Sequence, residues 1–406
     1  MKSFEVPVIY RSPLITAIKQ KRKADDRMKK DFTPTLLDFG PVQIHLARHF
    51  GFCYGVEHAI EIAFRTIDEN PEKRIFLLSE MIHNPFVNED LLDRGVKFLM
   101  DTKGQALIPF SELRAEDIVL IPAFGTTLQI ESELKAIGLH LETYNTTCPF
   151  VEKVWNRSEQ IAEKGYTVIV HGKPSHEETR ATFSHSAAHT PTLVVEDMKE
   201  TKKLTAFILG EKPLEEFNDH FGDRVSPGFD PVRDLRNIGV VNQTTMLASD
   251  TQAIADYLKG IMEQKYGAAD LADHFADTRD TLCYATTDNQ GAVIGLLDQP
   301  ADMALVVGGR NSSNTSHLVE LCENKLPTYF VRSEDDLVSS GEIVHFDWRK
   351  KLELRSQDWL PAQEPVRILV TSGASCPDAM VEGVIRKAIS FFPGATPMEA
   401  MIDPWR

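Results

Sequence analysis

The chain has 406 residues, of which 42% are hydrophobic and 26% are charged, and its formal net charge is −16 at pH 7. These values are typical of a globular protein of about two to four domains. The acidic balance argues against a nucleic-acid partner, because such proteins usually present a basic face. Five cysteines, an odd number, argue against a disulfide framework, and no run of about 18 apolar residues predicts a membrane span. We therefore expect a cytoplasmic protein, or one of the plastid stroma if the source is a plastid-bearing eukaryote.

Residues 1–41 form an N-terminal arm that stands apart from the rest of the sequence. The charged run from Lys19 to Lys30 indicates a solvated arm or a helix packed on the surface. An organelle-targeting segment is the less favoured alternative, because Asp25 and Asp26 interrupt the run and transit peptides are poor in acidic residues. No strand is predicted before Val42.

From Val42 onward, short apolar runs alternate with stretches whose apolar residues recur at helical spacing. This alternation predicts an α/β fold with mostly parallel sheets. The runs that we interpret as strands are Val42–Ala47, Arg74–Leu78, Ile118–Ile121, Thr167–His171, Thr205–Leu209, Ile238–Val241, Met303–Val307, Thr328–Val331 and Arg367–Thr371.

Three cysteines, Cys53, Cys148 and Cys283, each lie after a predicted turn and before a predicted helix. The repeat predicts three similar α/β domains at residues 42–143, 144–279 and 280–378, with an insert near 210–237 and a C-terminal helix and tail at 379–406. Three thiolates that converged on one centre would suit an iron–sulfur cluster with one open iron, or a zinc site. The alternative for each cysteine is a small buried hydrophobic side chain.

Polar loops follow several predicted strands, at the edge of a parallel sheet where ligands bind. Their hydroxyl and amide groups suit an anion such as phosphate, although ordinary helix capping also explains them. Glu178 could donate a proton if it is buried, or could lie in the first turn of a helix. His83 ends a further segment of this kind, where a structural role is the alternative. The loops are Gly172–Thr179, Asn242–Thr245, Gly308–Asn314 and Ser372–Asp378.

Eight segments are specific in combination: GFCYGVEHAI (51–60), EMIHNPFV (80–87), TTCPFVEKV (146–154), SHEET (175–179), NQTT (242–245), CYATTDNQ (283–290), GGRNSSNTSHL (308–318) and TSGASCPD (371–378). Between about Ile44 and Val384, the chain therefore closely resembles the LytB/IspH family of 4-hydroxy-3-methylbut-2-enyl diphosphate reductases. In its middle insert and long N-terminal arm it looks like the cyanobacterial and plant-type branch.

The resemblance implies a pseudo-threefold trefoil of three α/β domains around one central [4Fe–4S] cluster per chain. By motif, Cys53, Cys148 and Cys283 would hold three irons, while Cys322 and Cys376 match no ligand position. Glu178, aided by Thr244 or Thr245, would deliver protons to the leaving hydroxyl. Gly51 and Gly55 would let the backbone come close to the cluster. The residues that the resemblance assigns to the diphosphate are His83, His176, Ser312, Ser313, Asn314 and Ser375.

One position departs from the pattern of many bacterial members of the family. Their Ala-His-Gly segment supplies a further histidine for the diphosphate, whereas this chain has Ala123-Phe124-Gly125. Phe124 cannot donate a hydrogen bond to phosphate, so this contact must be lost or replaced, with Lys173 as one candidate.

The activity that the resemblance implies is the reductive dehydroxylation of 4-hydroxy-3-methylbut-2-enyl diphosphate to isopentenyl diphosphate and dimethylallyl diphosphate. This is the last step of the non-mevalonate (MEP) pathway of isoprenoid precursor synthesis. No nicotinamide or flavin motif is visible, so an external electron donor protein, ferredoxin or flavodoxin, is expected. Two alternatives remain: a non-redox iron–sulfur dehydratase, and a non-enzymatic three-domain protein with a structural metal site made of three cysteines.

Overall fold

Buried runs of branched aliphatic residues form the central strands, and the helices between them bury one apolar face each. The computed structural model describes residues 4–28, 30–276, 281–402 and 405. The strands are β1 Thr35–Asp38, β2 Val42–Leu46, β3 Ile75–Leu77, β4 Lys97–Phe98, β5 Ile118–Leu120, β6 Thr167–His171, β7 Thr192–Val195, β8 Ile238–Asn242, β9 Met303–Val307, β10 Thr328–Val331, β11 Glu342–Asp347, β12 Leu352–Gln357 and β13 Val366–Ser372. The α-helices are α1 Pro13–Asp25, α2 Tyr54–Glu69, α3 Pro85–Asp93, α4 Leu128–Ala136, α5 Pro149–Ala162, α6 Glu177–Ala187, α7 Met198–Ile208, α8 Phe217–Phe221, α9 Pro231–Asp234, α10 Ala248–Tyr266, α11 Leu271–His274, α12 Tyr284–Leu297, α13 Ser313–Glu323 and α14 Asp378–Ile389.

The chain divides into two compact units. The first unit contains Met1–Glu61, His83–Asn88 and Tyr284–Arg406, and the second contains Ile62–Ile82 and Glu89–Cys283. Within the described part of the chain, no helix is both long enough and apolar enough to cross a bilayer.

The first unit is built on a five-stranded sheet of order β1-β2-β13-β9-β10. The strands β2, β13, β9 and β10 are parallel, and only the β1–β2 pair is antiparallel. The N-terminal arm contributes directly to this core, because Leu14, Ile15 and Ile18 of α1 are buried in it. The arm is thus a helix whose apolar stripe packs inward at the i, i+1, i+4 positions. The strands β11 and β12 form a separate antiparallel pair.

The second unit contains two three-stranded parallel sheets, of order β4-β3-β5 and β7-β6-β8. The strands β6 and β8 are buried at every position. Such continuous burial is what a parallel sheet covered on both faces requires. The carboxyl ends of β6 and β8 lie side by side, because His171 pairs with Asn242.

The predicted α/β class and the predominance of parallel pairing are confirmed, but two local predictions are wrong. The segment Thr205–Leu209 is not a strand and lies largely in α7, whose buried face includes Thr201, Leu204, Thr205 and Ile208. That spacing is helical, and Asp197 caps the helix by accepting a hydrogen bond from the Glu200 N–H at 2.8 Å. A strand, β1, also precedes Val42, and its alternating buried and exposed residues mark an edge strand.

The domain limits expected at 42–143, 144–279 and 280–378 remain a prediction. The pairing of the strands groups Val42–Leu46 with the C-terminal part of the chain, because β2 runs parallel to β13 with Val42 opposite Val366. The expected limit between residues 279 and 280 lies outside the described residues, as does Lys29 of the charged run.

Candidate functional site

In the first unit, two polar loops meet at the carboxyl edge of the sheet. The strands β9 and β13 are parallel neighbours with Val307 opposite Ser372, so the loops that follow them begin side by side. The Asn314 side-chain oxygen accepts a hydrogen bond from the Ala374 N–H at 2.9 Å, which joins the two loops. The sequence segments GGRNSSN and TSGASCPD therefore lie against one another.

The start of α13 offers more polar side chains than the helix uses. Ser312 is the cap: its hydroxyl oxygen accepts from the Thr315 N–H at 3.2 Å and from the Thr315 hydroxyl at 2.9 Å. Among the described residues, the buried Ser313 Oγ and the buried Asn314 Nδ2 have no hydrogen-bond partner. Buried polar atoms are almost always paired, so these two atoms are available as donors to a ligand with acceptor oxygens.

His83 and Ser375 lie beside these loops. The buried Ser375 hydroxyl donates to the His83 carbonyl oxygen at 3.1 Å. A Cβ atom at Gly309 would collide with the same carbonyl oxygen, so only glycine fits there. These contacts fix the backbone of a histidine that is itself 6% exposed. The first unit thus brings together five of the six residues predicted for the diphosphate: His83, Ser312, Ser313, Asn314 and Ser375.

Cys53 lies in the same unit, directly before α2. Its N–H donates to the Ala374 carbonyl oxygen at 3.1 Å, and the next N–H, of Tyr54, donates to the Tyr284 hydroxyl oxygen at 3.0 Å. The cysteine loop therefore rests on the polar loop that follows β13. Tyr284 was not singled out by sequence reasoning, although it lies in the CYATTDNQ motif.

Gly51 lies beside an ion pair, and its expected approach to a cluster remains a prediction. Its φ is +78°, and a Cβ atom would lie 2.5 Å from Asp378 Oδ1 and 2.9 Å from Lys19 Nζ. The space beside this glycine is therefore filled by an ion pair between α1 and α14. The close approach that requires glycine is to these two side chains.

In the second unit, Glu178 is held by one threonine. The carboxylate is 1% exposed, and it accepts a hydrogen bond from the Thr244 N–H at 2.5 Å and from the Thr244 hydroxyl at 3.0 Å. Thr245 makes a different contact, since its hydroxyl oxygen accepts from Gln243 Nε2 at 2.7 Å. Of the two threonines considered from the sequence, Thr244 is the one that contacts the acid.

Gln243 ties the loops of this unit together and was not identified from the sequence. Its side-chain oxygen accepts from the Lys173 N–H at 3.1 Å and from the Thr179 hydroxyl at 3.0 Å. It therefore connects the loop after β8 to the loop after β6 and to α6, the helix that holds Glu178. Its position in the NQTT motif, at the end of β8, was a signal in the sequence. The hydrogen-bond partners of an amide side chain, however, cannot be predicted from the sequence alone.

His176 caps α6, because its Nδ1 accepts the Glu178 N–H at 3.2 Å. A neutral ring that accepts at Nδ1 carries its proton on Nε2, and that N–H can donate to an anion. Phe124 packs its edge against this ring, with the centroids 5.7 Å apart and the planes at 83°. Phe124, which stands where many bacterial members of the family have a histidine, thus packs against the ring of His176.

Cys148 and Cys283 also lie in the second unit. Cys148 is the N-cap residue of α5, and burial, with smaller contributions from the charges of Cys283 and Glu178, raises the pKa of its thiol to about 12. The Cys283 N–H donates to the Thr244 carbonyl oxygen at 3.2 Å. The segment that leads to Cys283 is fixed to the end of β8, because the Asn242 N–H donates to the Thr281 hydroxyl at 2.8 Å. One threonine, Thr244, therefore contacts both the acid and a cysteine segment.

The three predicted ligands suit a thiolate-bound group in their chemistry. Cys53, Cys148 and Cys283 are reduced thiols of intermediate exposure, each at or directly before a helix start. Cys322 and Cys376 are also reduced but are fully buried in the core of the first unit. Within the described ranges, no group of three or more histidine, cysteine and acidic side chains is arranged to hold a metal ion. Convergence of the three thiols remains a prediction.

Comparison with known proteins gives a consistent result. The family model described as "LytB protein" matches residues 44–388. A protein of Synechococcus sp. (strain RCC307), named 4-hydroxy-3-methylbut-2-enyl diphosphate reductase, is 41% identical over 351 residues, which cover 86% of this chain and 84% of the relative. A protein of the same name from Cyanothece sp. (strain PCC 7425) is 41% identical over 350 residues, with 86% and 84% covered.

One solved structure shares the fold. The E-1-hydroxy-2-methyl-but-2-enyl-4-diphosphate reductase from Plasmodium falciparum superposes with a TM-score of 0.62 at 22% identity, over 87% of this chain and 90% of that one.

Proposed function

Because this chain belongs to the LytB family, we propose that it reduces 4-hydroxy-3-methylbut-2-enyl diphosphate to isopentenyl diphosphate and dimethylallyl diphosphate, the last step of the non-mevalonate pathway. The reaction consumes two electrons and two protons. The allylic C–O bond breaks, one proton leaves with the hydroxyl as water, and the other forms a C–H bond at either end of the allyl group. An acidic one-electron carrier, of the ferredoxin or flavodoxin class, supplies the electrons.

The observation that carries this proposal is the buried Glu178 held by Thr244. Two donors from one residue, at 2.5 and 3.0 Å, address both carboxylate oxygens and set the plane of the carboxyl group. A carboxyl group fixed in this way is already oriented for proton transfer to a departing hydroxyl. The carboxyl group is 1% exposed, so it is largely shielded from bulk water.

The diphosphate is held by donors rather than by net charge. Ser313 Oγ and Asn314 Nδ2 are buried atoms without partners among the described residues, and each can donate to a phosphate oxygen. Ser312, Ser375, His83 and the Nε2–H of His176 complete the set. Binding energy from this remote group orients the allylic end, so it contributes to the rate as well as to affinity.

A [4Fe–4S] cluster, one per chain, would be held by Cys53, Cys148 and Cys283 in a trefoil of three α/β domains. It would supply electrons one at a time and Lewis acidity for the departing hydroxyl. The protein contributes Cys148 as a helix cap and Cys283 on a segment that Thr244 fixes. Cys148 would bind as a thiolate, so cluster assembly at this residue would release the proton of its thiol.

The test is turnover of the allylic diphosphate by anaerobically reconstituted protein with reduced methyl viologen. Glu178→Gln should lower kcat by about 100-fold or more, with iron and sulfide content unchanged. Glu177→Gln is the matched control, because Glu177 is also buried and accepts a hydrogen bond from Ser79 instead.

Equal activity of the two variants would overturn the proton-donor role of Glu178. Turnover that continues without any reductant would favour a non-redox dehydratase. Zinc without iron in anaerobically purified protein would favour a structural metal site.

A further inference from the structure

We propose that the side of α1 bearing Lys19, Gln20 and Lys23, together with the adjoining loop at Phe52 and Cys53, is the surface on which an acidic one-electron carrier protein docks. We call it the arm surface. This proposal rests on the proposed function, because only a reductase needs such a carrier, and it names a role for the N-terminal arm.

The arm surface is a groove formed by two adjoining cavities of the first unit. One has a volume of about 290 Å³ and the other about 190 Å³, and both are lined by Lys19, Lys23 and Phe52. The second cavity is also lined by Cys53. The groove therefore joins the exposed side of α1 to one of the three proposed cluster ligands, which is where an electron carrier would need to approach.

The helix presents one continuous face to this groove. Thr16, Lys19, Gln20 and Lys23 line it, and their spacing of three, one and three residues places them on the same side of a helix. Lys23 and Gln20 are exposed, whereas Lys19 is engaged with Asp378 at 2.7 Å. Lys19 is therefore fixed in place, whereas Lys23 is accessible to a partner.

The residues that line the groove include four basic and three acidic side chains, whereas the whole chain is strongly acidic. The net charge of the protein is −16, yet the exposed charged side chains that line the groove, Arg11 and Lys23, are basic. The carboxylates that line it, Glu57, Asp288 and Asp378, are only partly exposed. An acidic partner would be repelled by most of this protein and attracted here, which favours a single docking orientation.

Arg48 adds a buried positive charge beside Cys53. It is 7% exposed and lines the smaller cavity. Its Nη2 donates to the Arg22 carbonyl oxygen at 3.1 Å, but its buried Nε has no partner within the described part of the chain. The guanidinium adds positive charge to the groove, although the carboxylates of Asp26, Asp31 and Asp288 offset part of it.

The experiment compares two electron donors on the full, anaerobically reconstituted chain. The donors are a reduced plant-type [2Fe–2S] ferredoxin, which is an acidic protein, and reduced methyl viologen, which needs no docking surface. Three variants are assayed at low and at high ionic strength: Lys23→Glu, Gln20→Lys, and Lys203→Glu as a control. Lys203 is an exposed lysine on α7 in the second unit and does not line the groove, so its reversal changes the net charge by the same amount outside the arm surface.

At low salt, we expect Lys23→Glu to raise the KM for ferredoxin by roughly 5- to 10-fold and Gln20→Lys to lower it by about 2-fold, with Lys203→Glu within about 2-fold of the wild type. All of these differences should shrink at high salt. The kcat with methyl viologen should not change.

Equal shifts for Lys23→Glu and Lys203→Glu would overturn the proposal, because net charge alone would then explain them. Shifts of the same sign for Lys23→Glu and Gln20→Lys would also overturn it, because they would indicate a structural role for α1. Absence of viologen-driven turnover in the wild type would instead contradict the proposed function.

Discussion

Lys19 Nζ lies 2.7 Å from Asp378 Oδ1 and also donates to the Phe50 carbonyl oxygen at 2.9 Å. A single ammonium group thereby joins the N-terminal helix α1, the start of α14 and the loop that precedes Cys53. The ammonium also lies 4.4 Å from the centroid of the Phe50 ring. Through Lys19, the helix of the N-terminal arm therefore contacts the loop that precedes Cys53 and is packed on the first unit.

Replacement of Lys19 by Met should loosen that loop. The ion pair is partly buried, with side-chain exposures of 30% and 18%, so we expect a loss of about 1–2 kcal/mol in the free energy of unfolding. Hydrogen exchange of the metal-free protein should become faster at residues 50–53. A double-mutant cycle with Asp378→Asn measures the coupling between the two residues. Purely additive losses would show that the contact contributes nothing.

Replacement of Gly51 by Ala should destabilise the fold, because two separate costs act at this position. A side chain at φ +78° is strained, and its Cβ would lie 2.5 Å from Asp378 Oδ1. We expect a total loss of about 2–4 kcal/mol in urea unfolding of the metal-free protein.

Gly40→Ala is the control for that substitution. Gly40 has φ +91°, and a Cβ atom added there would have nothing within 4 Å, so this variant should lose only the conformational part, about 1–2 kcal/mol. Equal losses for the two variants would mean that the ion pair moves aside freely.

The local patterns predicted the buried strands well and the pairing between distant strands poorly. Thr167–His171 and Met303–Val307 match β6 and β9, because continuous burial leaves a run of aliphatic residues in the sequence. Thr205–Leu209 failed because branched residues occupy the buried face of a helix there. The pairing of Val42 with Val366 joins distant parts of the chain, and no local periodicity reports it.

In the candidate site, too, local motifs predicted which residues are present but not the contacts between distant segments. Motifs located Ser312, Ser313 and Asn314, but only the hydrogen bonds distinguish the cap from the two side chains left over. Gly51 was attributed to the approach of a cluster, whereas an ion pair fills the space beside it. Contacts of this kind depend on side chains from remote segments, which a motif cannot contain.

Ser313→Ala should weaken substrate binding without weakening the fold. Its buried hydroxyl has no partner among the described residues, so its removal should leave the melting temperature unchanged or slightly higher. The KM for the allylic diphosphate and the Kd for inorganic pyrophosphate should rise by about 5- to 10-fold, as expected for one lost hydrogen bond to an anion.

Ser312→Ala provides the contrast, because Ser312 accepts two hydrogen bonds from Thr315 as the cap of α13. This variant should lose about 1 kcal/mol of stability. A Ser313→Ala variant that is equally destabilised would show that the hydroxyl has a structural partner.

Phe124→Leu should raise the KM for the allylic diphosphate by about 2- to 5-fold and leave kcat nearly unchanged. Leucine keeps the apolar volume but loses the edge contact with His176, where the centroids are 5.7 Å apart, and such contacts contribute about 0.5–1.5 kcal/mol. Phe110→Leu, on a partly buried ring packed against another core of the second unit, controls for the loss of an aromatic ring. A fall in kcat with unchanged KM would contradict a positioning role for Phe124.

In the metal-free protein, the five thiols should differ in how fast they react with iodoacetamide. Cys53, Cys148 and Cys283 are partly exposed, whereas Cys322 and Cys376 are buried, so peptide mapping should find the last two labelled only after unfolding.

Burial raises the pKa of Cys148 to about 12 from a usual value of 9.0. Only the thiolate reacts, so its labelling rate at pH 8 should be low and should continue to rise about tenfold per pH unit beyond pH 9, where an ordinary thiol levels off. Labelling in urea, where all five thiols are ordinary, is the control. A Cys148 rate that levels off near pH 9 in the folded protein would show that this thiol is more solvated than its burial implies.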